Sequence, residues 1–212
     1  IYIGDTYGTL PTPTKTGYTF NGWTDFVPGY TKLEYIEGTG TQYILTDIIP
    51  VSNNKIEADV YQSSSYSSET AFMGVRDSST GIGLEYYYSG GVPYFWGSPC
   101  GTIGGGSSVY DRVVHYEVTH SSTGTTLYTS TNGTYNNDFV YNGTGNVTPY
   151  TIFAYNNYGS AGYYFRGRIY GIKIYESGVL AHDLIPVKRI SDNELGLYDE
   201  ITEDCNNTEI ID

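Results

Sequence analysis

The chain has 212 residues, among them 25 Tyr and 27 Gly, and its 23 acidic against 10 basic residues give a formal net charge of −13. This acidity argues against nucleic acids and anionic membranes as partners, because both would repel the chain. The sequence has no apolar run of about 18 residues, so no transmembrane helix is predicted. Abundant Tyr, Thr, Ile, Val and Gly, with few strong helix formers, predict an all-β protein.

Residues 1–30 differ in character from the rest of the chain. Pro11 and Pro13 remove backbone donors and favour turns, and Tyr18–Trp23 then alternates aromatic and polar residues, as a half-buried strand does. The segment Tyr7–Trp23, with its Gly-Tyr-x-Phe-x-Gly-Trp motif, resembles the second half of a Listeria–Bacteroides (internalin B-type) repeat. The resemblance implies a partial, β-rich repeat over residues 1–30, of a kind found in bacterial surface proteins.

From Thr31 onward the sequence predicts many short strands separated by turn signals. The candidate strands are Ile56–Tyr61, Thr70–Val75, Gly83–Tyr88, Pro93–Trp96, Val113–Thr119, Thr125–Thr131, Asn137–Tyr141, Tyr150–Ala154 and Gly167–Glu176. Asp183–Ile190 is predicted to hold a short turn. Strands spaced this regularly predict an antiparallel sandwich or barrel.

Both ends of this β segment carry a second resemblance. Lys32–Ile44 is similar to the opening strand of laminin-G-like, concanavalin A-like jelly-roll modules, and Gly167–Pro186 followed by Asp192–Asp199 is similar to their closing part. The resemblance implies an antiparallel jelly-roll sandwich over residues 31–199, whose opening and closing strands pair. Residues 200–212 depart from the family and form an acidic C-terminal tail.

One strand carries paired acids that merit a test for catalysis. Laminarinase-type glycosidases, which share the jelly-roll fold, carry three acids on one strand. Here Glu57 and Asp59 share a face, but Tyr61 or Gln62 replaces the third acid. A solvent-facing polar stripe is the simpler interpretation, and no enzymatic activity is predicted.

The sequence contains few signals for a metal site or a disulfide bond. His115 and His120 have opposite parity on one strand, so they cannot bind one metal together without a bulge. A structural calcium ion is a candidate cofactor, with Asp77, Asp111, Asp138 and Asp183 in loops or at strand ends. Cys100 and Cys205 form no CxxC pair, and the sequence leaves open whether they are bonded or free.

Aromatic residues provide the remaining functional signal. In the predicted hairpin around Ser89–Val92, Tyr86 and Tyr88 share one face, and Tyr94 and Trp96 share one face. Exposed aromatic rings bordered by polar groups suit sugar rings or a protein partner. We therefore take Tyr86, Tyr88, Tyr94, Trp96, Arg76 and Tyr163 as candidate ligand-binding residues. The alternative is that these tyrosines fill the sandwich core.

Three functions are compatible with these features. The favoured one is a non-catalytic extracellular surface module, bacterial or on a virion, that is glycan-binding or adhesive, with carbohydrate or a host or cell-surface glycoprotein as its partner. The second is a structural subunit of a surface fibre, stalk or phage tail that self-associates through its termini into a filament. The third is a laminarinase-type glycoside hydrolase that uses Glu57 and Asp59.

Overall fold

The computed structural model describes residues 27, 29–65, 68–76, 83–98, 101–143, 148–157 and 159–203, together with the backbone of 210–211. Every regular element among them is a β-strand. In chain order the strands are β1 (Tyr30–Lys32), β2 (Ile36–Thr39), β3 (Tyr43–Leu45), β4 (Asn54–Gln62), β5 (Thr70–Arg76), β6 (Gly83–Ser89), β7 (Val92–Gly97), β8 (Gly101–Gly104), β9 (Val113–Ser121), β10 (Gly124–Thr129), β11 (Gly133–Asn137), β12 (Thr151–Ile152), β13 (Tyr155–Asn157), β14 (Ser160–Gly162), β15 (Arg166–Glu176), β16 (Val179–Arg189), β17 (Leu195–Asp199) and β18 (Ile210–Ile211).

The strands form two nine-stranded sheets. The first sheet runs β1-β16-β15-β4-β9-β10-β11, with β17 beside β16 and β2 beside β15. The second sheet runs β18-β3-β12-β5-β6-β7-β8, with β13 and β14 beside β5. The opening strand β2 pairs with the late strand β15, as Ile36 opposite Ile169 shows. The predicted pairing of the opening and closing stretches is therefore confirmed.

A core rich in aromatic side chains fills the space between the sheets. Phe72 lies near its centre, where its ring centroid is 4.9 Å from that of Tyr116 and 6.2 Å from those of Tyr86 and Phe165. The strict alternation of β4 sends Ile56, Ala58 and Val60 inward and the residues between them outward. Each such buried large side chain contributes about 1.5–3 kcal/mol of transfer free energy, so this face accounts for much of the fold's stability.

Tight turns connect the strands that carry the candidate site. The hairpin β6–β7 turns through Gly90 and Gly91, whose φ values of 57° and 77° both lie in the left-handed region. A two-residue turn with this geometry matches the twist of the flanking strands, and glycine adopts it without a Cβ penalty. The predicted hairpin around Ser89–Val92 is confirmed, and it sets Glu85 opposite Trp96.

Two local predictions are wrong. Asp183–Ile190 is strand up to Arg189 and reaches a turn only at Ile190, because β16 runs from Val179 to Arg189 and is paired on both sides by β15, β1 and β17. No strand covers Asn137–Tyr141, since β11 ends at Asn137. Phe139 and Tyr141 are nevertheless buried in the core cluster, where their apolar character, rather than strand pairing, places them.

Several predictions fall outside the described residues. These are the internalin-type repeat at residues 1–30, of which only Val27, Gly29 and Tyr30 are described, and the state of Cys100 and Cys205. Of the acidic tail, Ile210 and Ile211 pair with Ile44 and Tyr43 of β3. Within the described part of the chain, nothing forms a helix with the length and apolarity needed to cross a membrane.

Candidate functional site

The outer face of the second sheet carries the candidate site. Neighbouring strands place Gly74, Glu85 and Trp96 side by side in one row, and Ala71, Tyr87 and Tyr94 in another. A register shift between Ala71 and Met73 turns Phe72 and Met73 toward the core while the flanking residues keep their outward direction. Strand alternation and this bulge together decide which side chains reach the outer surface.

This face holds a cleft of about 340 Å³. Aromatic rings form much of its wall and polar side chains the rest. The lining residues are Glu69, Arg76, Glu85, Tyr87, Trp96, Thr102, Tyr155, Asn157 and Tyr163. A site that combines ring faces with a few converging polar groups can bind a ligand that has both apolar faces and hydroxyl groups.

Contacts among the aromatic residues hold the walls in place. The Tyr87 and Tyr94 rings stack with centroids 5.5 Å apart and planes 25° apart, and the Tyr87 hydroxyl lies 3.2 Å from Thr102 Oγ1. Tyr155 and Tyr163 meet edge to face at 6.0 Å. The Arg76 guanidinium lies 5.7 Å from the centre of the Trp96 ring, within the range of a cation–π contact.

Two glycines make room for these rings. An added Cβ at Gly74 would lie 2.7 Å from Cδ2 of Tyr155, and one at Gly83 would overlap the Trp96 ring. Because neither glycine has a side chain, Tyr155 and Trp96 lie directly on the sheet. Glu85, which is paired with Gly74 on one side and Trp96 on the other, also lines the cleft.

Glu85 is the most unusual group in the cleft. Its side chain lines the cleft although the residue is only 6% exposed, and its Oε1 atom has no hydrogen-bond partner among the described residues. Burial, with a smaller contribution from the negative charge of Glu69, raises the pKa of Glu85 to about 8, and the Arg76 charge opposes this rise. At neutral pH the group is therefore mostly a neutral acid that can donate a hydrogen bond.

The structure separates the six predicted site residues into two groups. Arg76, Trp96 and Tyr163 line the cleft, and Tyr94 stacks on the cleft residue Tyr87. Their role in ligand binding remains a prediction.

Tyr86 and Tyr88 do not reach this surface, and their assignment to it is corrected. Both are fully buried, because their parity on β6 points them between the sheets. The Tyr86 hydroxyl lies 3.2 Å from the Tyr150 hydroxyl, inside the core. The alternative interpretation, that tyrosines fill the sandwich core, holds for this pair.

The sequence analysis missed Glu85 and Tyr87 as site residues. Both have the opposite parity to Tyr86 on β6, so they occupy the outer face once the core face is known. Tyr155 also lines the cleft, although it was not among the predicted site residues. It arrives from β13, which pairs in parallel with β5, and no local pattern indicates that pairing.

The acids considered for catalysis lie elsewhere, on the outer face of the first sheet. Glu57 bonds to Lys55 Nζ and accepts a hydrogen bond from the Tyr175 hydroxyl at 3.2 Å, and Asp59 Oδ1 lies 2.9 Å from His115 Nδ1. The predicted polar stripe is confirmed, since both carboxylates point outward and are engaged in surface pairs. Surface pairs of this kind contribute about 0–1 kcal/mol each.

The histidines on β9 face opposite sides, as predicted. His115 is on the surface, whereas His120 is buried, with its Nδ1 atom 2.8 Å from Thr125 Oγ1. Burial lowers the pKa of His120 to about 3, so it is neutral at physiological pH. Its role is to complete a polar network in the core.

The described residues include no cluster of three or more His, Cys, Asp or Glu side chains that could hold a metal ion. Asp111 accepts hydrogen bonds from the Tyr61 hydroxyl and the Ser64 amide, and Asp183 pairs with Lys173 at 3.3 Å. Asp138 lines a groove beside Ser121 and Asn137, and Asp77 is outside the described residues. Structural calcium therefore remains a prediction.

Comparison with known proteins shows the fold. No family model matches the sequence. No curated protein matches it either. Among solved structures, the CBM40 carbohydrate-binding module of the Ruminococcus gnavus IT-sialidase superposes with a TM-score of 0.51 at 14% identity, covering 68% of this chain and 91% of that one. Mouse laminin α1 domains LG4–5 give a TM-score of 0.51 at 10% identity, covering 74% of this chain and 45% of that one.

The fold is a concanavalin A-like jelly roll. The predicted fold class is thereby confirmed, and the laminin-G-like resemblance holds at the level of the fold. At these identities the likeness concerns the fold alone, and the laminin fragment is more than twice as long as the part that this chain spans.

Proposed function

We propose that this protein is a non-catalytic, extracellular surface module that binds carbohydrate in the cleft on the outer face of its second sheet. The observation that carries the proposal is the set of aromatic rings, Tyr87, Trp96, Tyr155 and Tyr163, which border one cleft together with polar side chains. Pyranose rings present apolar C–H faces and a rim of hydroxyls, and this pairing of surfaces suits them.

The surrounding polar groups match the hydroxyl groups of a sugar. Thr102 and Asn157 supply neutral hydrogen-bonding groups and Arg76 supplies charged donors, all at the cleft. The fold adds support, because one of its structural neighbours is named as a carbohydrate-binding module and another as a laminin G domain pair. A free oligosaccharide or the glycan of a cell-surface glycoprotein would present the same chemistry.

The proposal includes the absence of catalysis and a location outside the cell, at a bacterial surface or on a virion. The acids Glu57 and Asp59, which motivated a hydrolase, are engaged in ion pairs and hydrogen bonds on the other sheet. Release of reducing sugar from any bound glycan would contradict the non-catalytic assignment.

A glycan array followed by calorimetry tests the binding function. Plant, mucin and bacterial cell-wall glycans are offered at pH 7, with and without Ca²⁺, to the wild type and to Trp96→Ala. Loss of a central aromatic contact costs about 2 kcal/mol, so we expect affinity to fall about thirtyfold.

Tyr128→Ala is the matched control. Tyr128 is an aromatic residue with 38% exposure on the outer face of the first sheet, whereas the cleft lies on the second sheet. The Tyr128→Ala variant should bind glycan as the wild type does. Equal losses in Trp96→Ala and Tyr128→Ala, or no binding to any glycan in either condition, would refute the proposed site.

A further inference from the structure

Glu85 is a nearly buried acid in the lining of the cleft. It lies on β6 between Gly74 of β5 and Trp96 of β7. With 6% exposure and an Oε1 atom that has no hydrogen-bond partner among the described residues, its carboxyl has unused hydrogen-bonding capacity. A buried polar group without a partner costs about 1–3 kcal/mol, which a ligand that bonds to it would recover.

Burial, more than the surrounding charges, keeps Glu85 in its neutral form. On the β5 side the charged groups are Glu69 and Arg76. The titratable phenols nearby are Tyr87 on its own strand, Tyr94 on β7, Tyr155 on β13 and Tyr163 after β14. Burial and then Glu69 raise the pKa of the carboxyl to about 8, and Arg76 acts in the opposite direction. Below that pH, the Glu69 and Arg76 charges cancel.

The whole chain carries a formal charge of −13, so an anionic ligand is repelled at long range. The described lining of the cleft already contains one cation, Arg76, and one other acid, Glu69. An ionised Glu85 would make the described lining negative by one charge. The site is therefore best suited to a ligand without charge that can accept a hydrogen bond from a carboxylic acid.

We propose that the cleft selects uncharged sugars and that Glu85, as a neutral carboxylic acid, donates a hydrogen bond to a sugar oxygen. This rests on the proposed function, since it assigns a role within the same cleft. Glu85 thereby acts as a specificity-determining residue. Ionisation removes the donor and adds a charge, so binding weakens in mild alkali.

The test compares soluble neutral polysaccharides, galactomannan and xyloglucan, with the anionic polygalacturonate, by calorimetry from pH 6 to pH 9.5. For the wild type we expect binding to a neutral polysaccharide and an affinity about tenfold weaker at pH 9 than at pH 7, as the fraction of protonated acid falls. Glu85→Gln keeps a neutral donor of the same shape. It should bind at pH 7 and show no loss at pH 9. Glu34→Gln, at an exposed position between β1 and β2, should keep the wild-type profile.

The outcomes separate this inference from the proposed function. Neutral binding that is equally tight at pH 7 and pH 9, or a Glu85→Gln variant that keeps the alkaline loss, would overturn the inference and leave glycan binding intact. Tighter binding of polygalacturonate than of the neutral polysaccharides would overturn it as well. Absence of binding to all three polysaccharides across the pH range would refute this inference and count against the proposed function.

Discussion

The buried carboxyl of Glu85 predicts an unusual dependence of stability on pH. Burial raises the pKa of Glu85 from its ordinary value of 4.5 to about 8. Because each pKa unit corresponds to about 1.4 kcal/mol, ionising this group costs about 5 kcal/mol more in the folded protein than in the unfolded chain. A folded protein of this size is stable by only about 5–15 kcal/mol, so the effect is large.

The sign of this pH dependence of stability follows from the number of protons that the folded and unfolded states bind. Between pH 4.5 and pH 8 the folded state holds a proton on Glu85 that the unfolded chain has released. The contribution is therefore fully present below pH 4.5 and is lost as the pH rises to 8, at about 1.4 kcal/mol per pH unit. Above pH 8 both states are ionised and the slope disappears.

Guanidinium denaturation at pH 5, 6, 7, 8 and 9 measures this contribution when the wild type is compared with Glu85→Gln. The amide is neutral at every pH, so we expect the variant to gain about 4 kcal/mol relative to the wild type between pH 5 and pH 9. Glu34→Gln, an exposed substitution, should follow the wild-type curve. Parallel curves for the wild type and Glu85→Gln would refute the reasoning, because they would mean that Glu85 ionises equally easily in both states.

Three further predictions concern the core and the walls of the cleft. Tyr86→Phe removes a buried hydroxyl that lies 3.2 Å from Tyr150, and it should lower the free energy of unfolding by about 1 kcal/mol while glycan affinity stays unchanged, since the ring is in the core. Acidification from pH 6.5 to pH 3 should destabilise the wild type by up to about 1.4 kcal/mol per pH unit, because burial lowers the pKa of His120 to about 3. When the free energy of unfolding is measured by denaturation over this range, it should fall less steeply with pH in His120→Gln. An equal slope in both proteins would contradict this prediction. Gly83→Ala should displace Trp96, shift the tryptophan emission and weaken glycan binding, whereas Gly162→Ala, where an added Cβ has open space, should change neither; an unshifted Gly83→Ala spectrum would contradict the packing.

Much of the architecture follows from local sequence signals. Alternation in Ile56–Tyr61 and the glycine turn after Ser89 specify strands and a hairpin whatever the surroundings. The Asp183–Ile190 segment lacks such a signal, and its strand exists because three neighbouring strands pair with it. Phe139 and Tyr141 show the opposite case, because their side chains are buried in the core although neither residue belongs to a β-strand.

Local sequence signals also predicted part of the candidate site. Tyr94, Trp96 and Arg76 were identified from an aromatic hairpin and a strand end, and they do lie together. The period of two, however, says only which residues share a face. It does not say which face is covered by the second sheet, and with tyrosines on both sides of β6 composition gives no answer.

The amino-acid sequence by itself determined an all-β chain, the positions of most strands and turns, and a supply of aromatic side chains on both faces of the β6–β7 hairpin. Only the tertiary structure decided that Tyr86 and Tyr88 are core and that Glu85 and Tyr87 face the cleft. The physical reason is that burial is a property of what packs over a strand. Tyr155 comes from β13, far along the chain, to cover Gly74, and the neighbouring Glu85 is only 6% exposed.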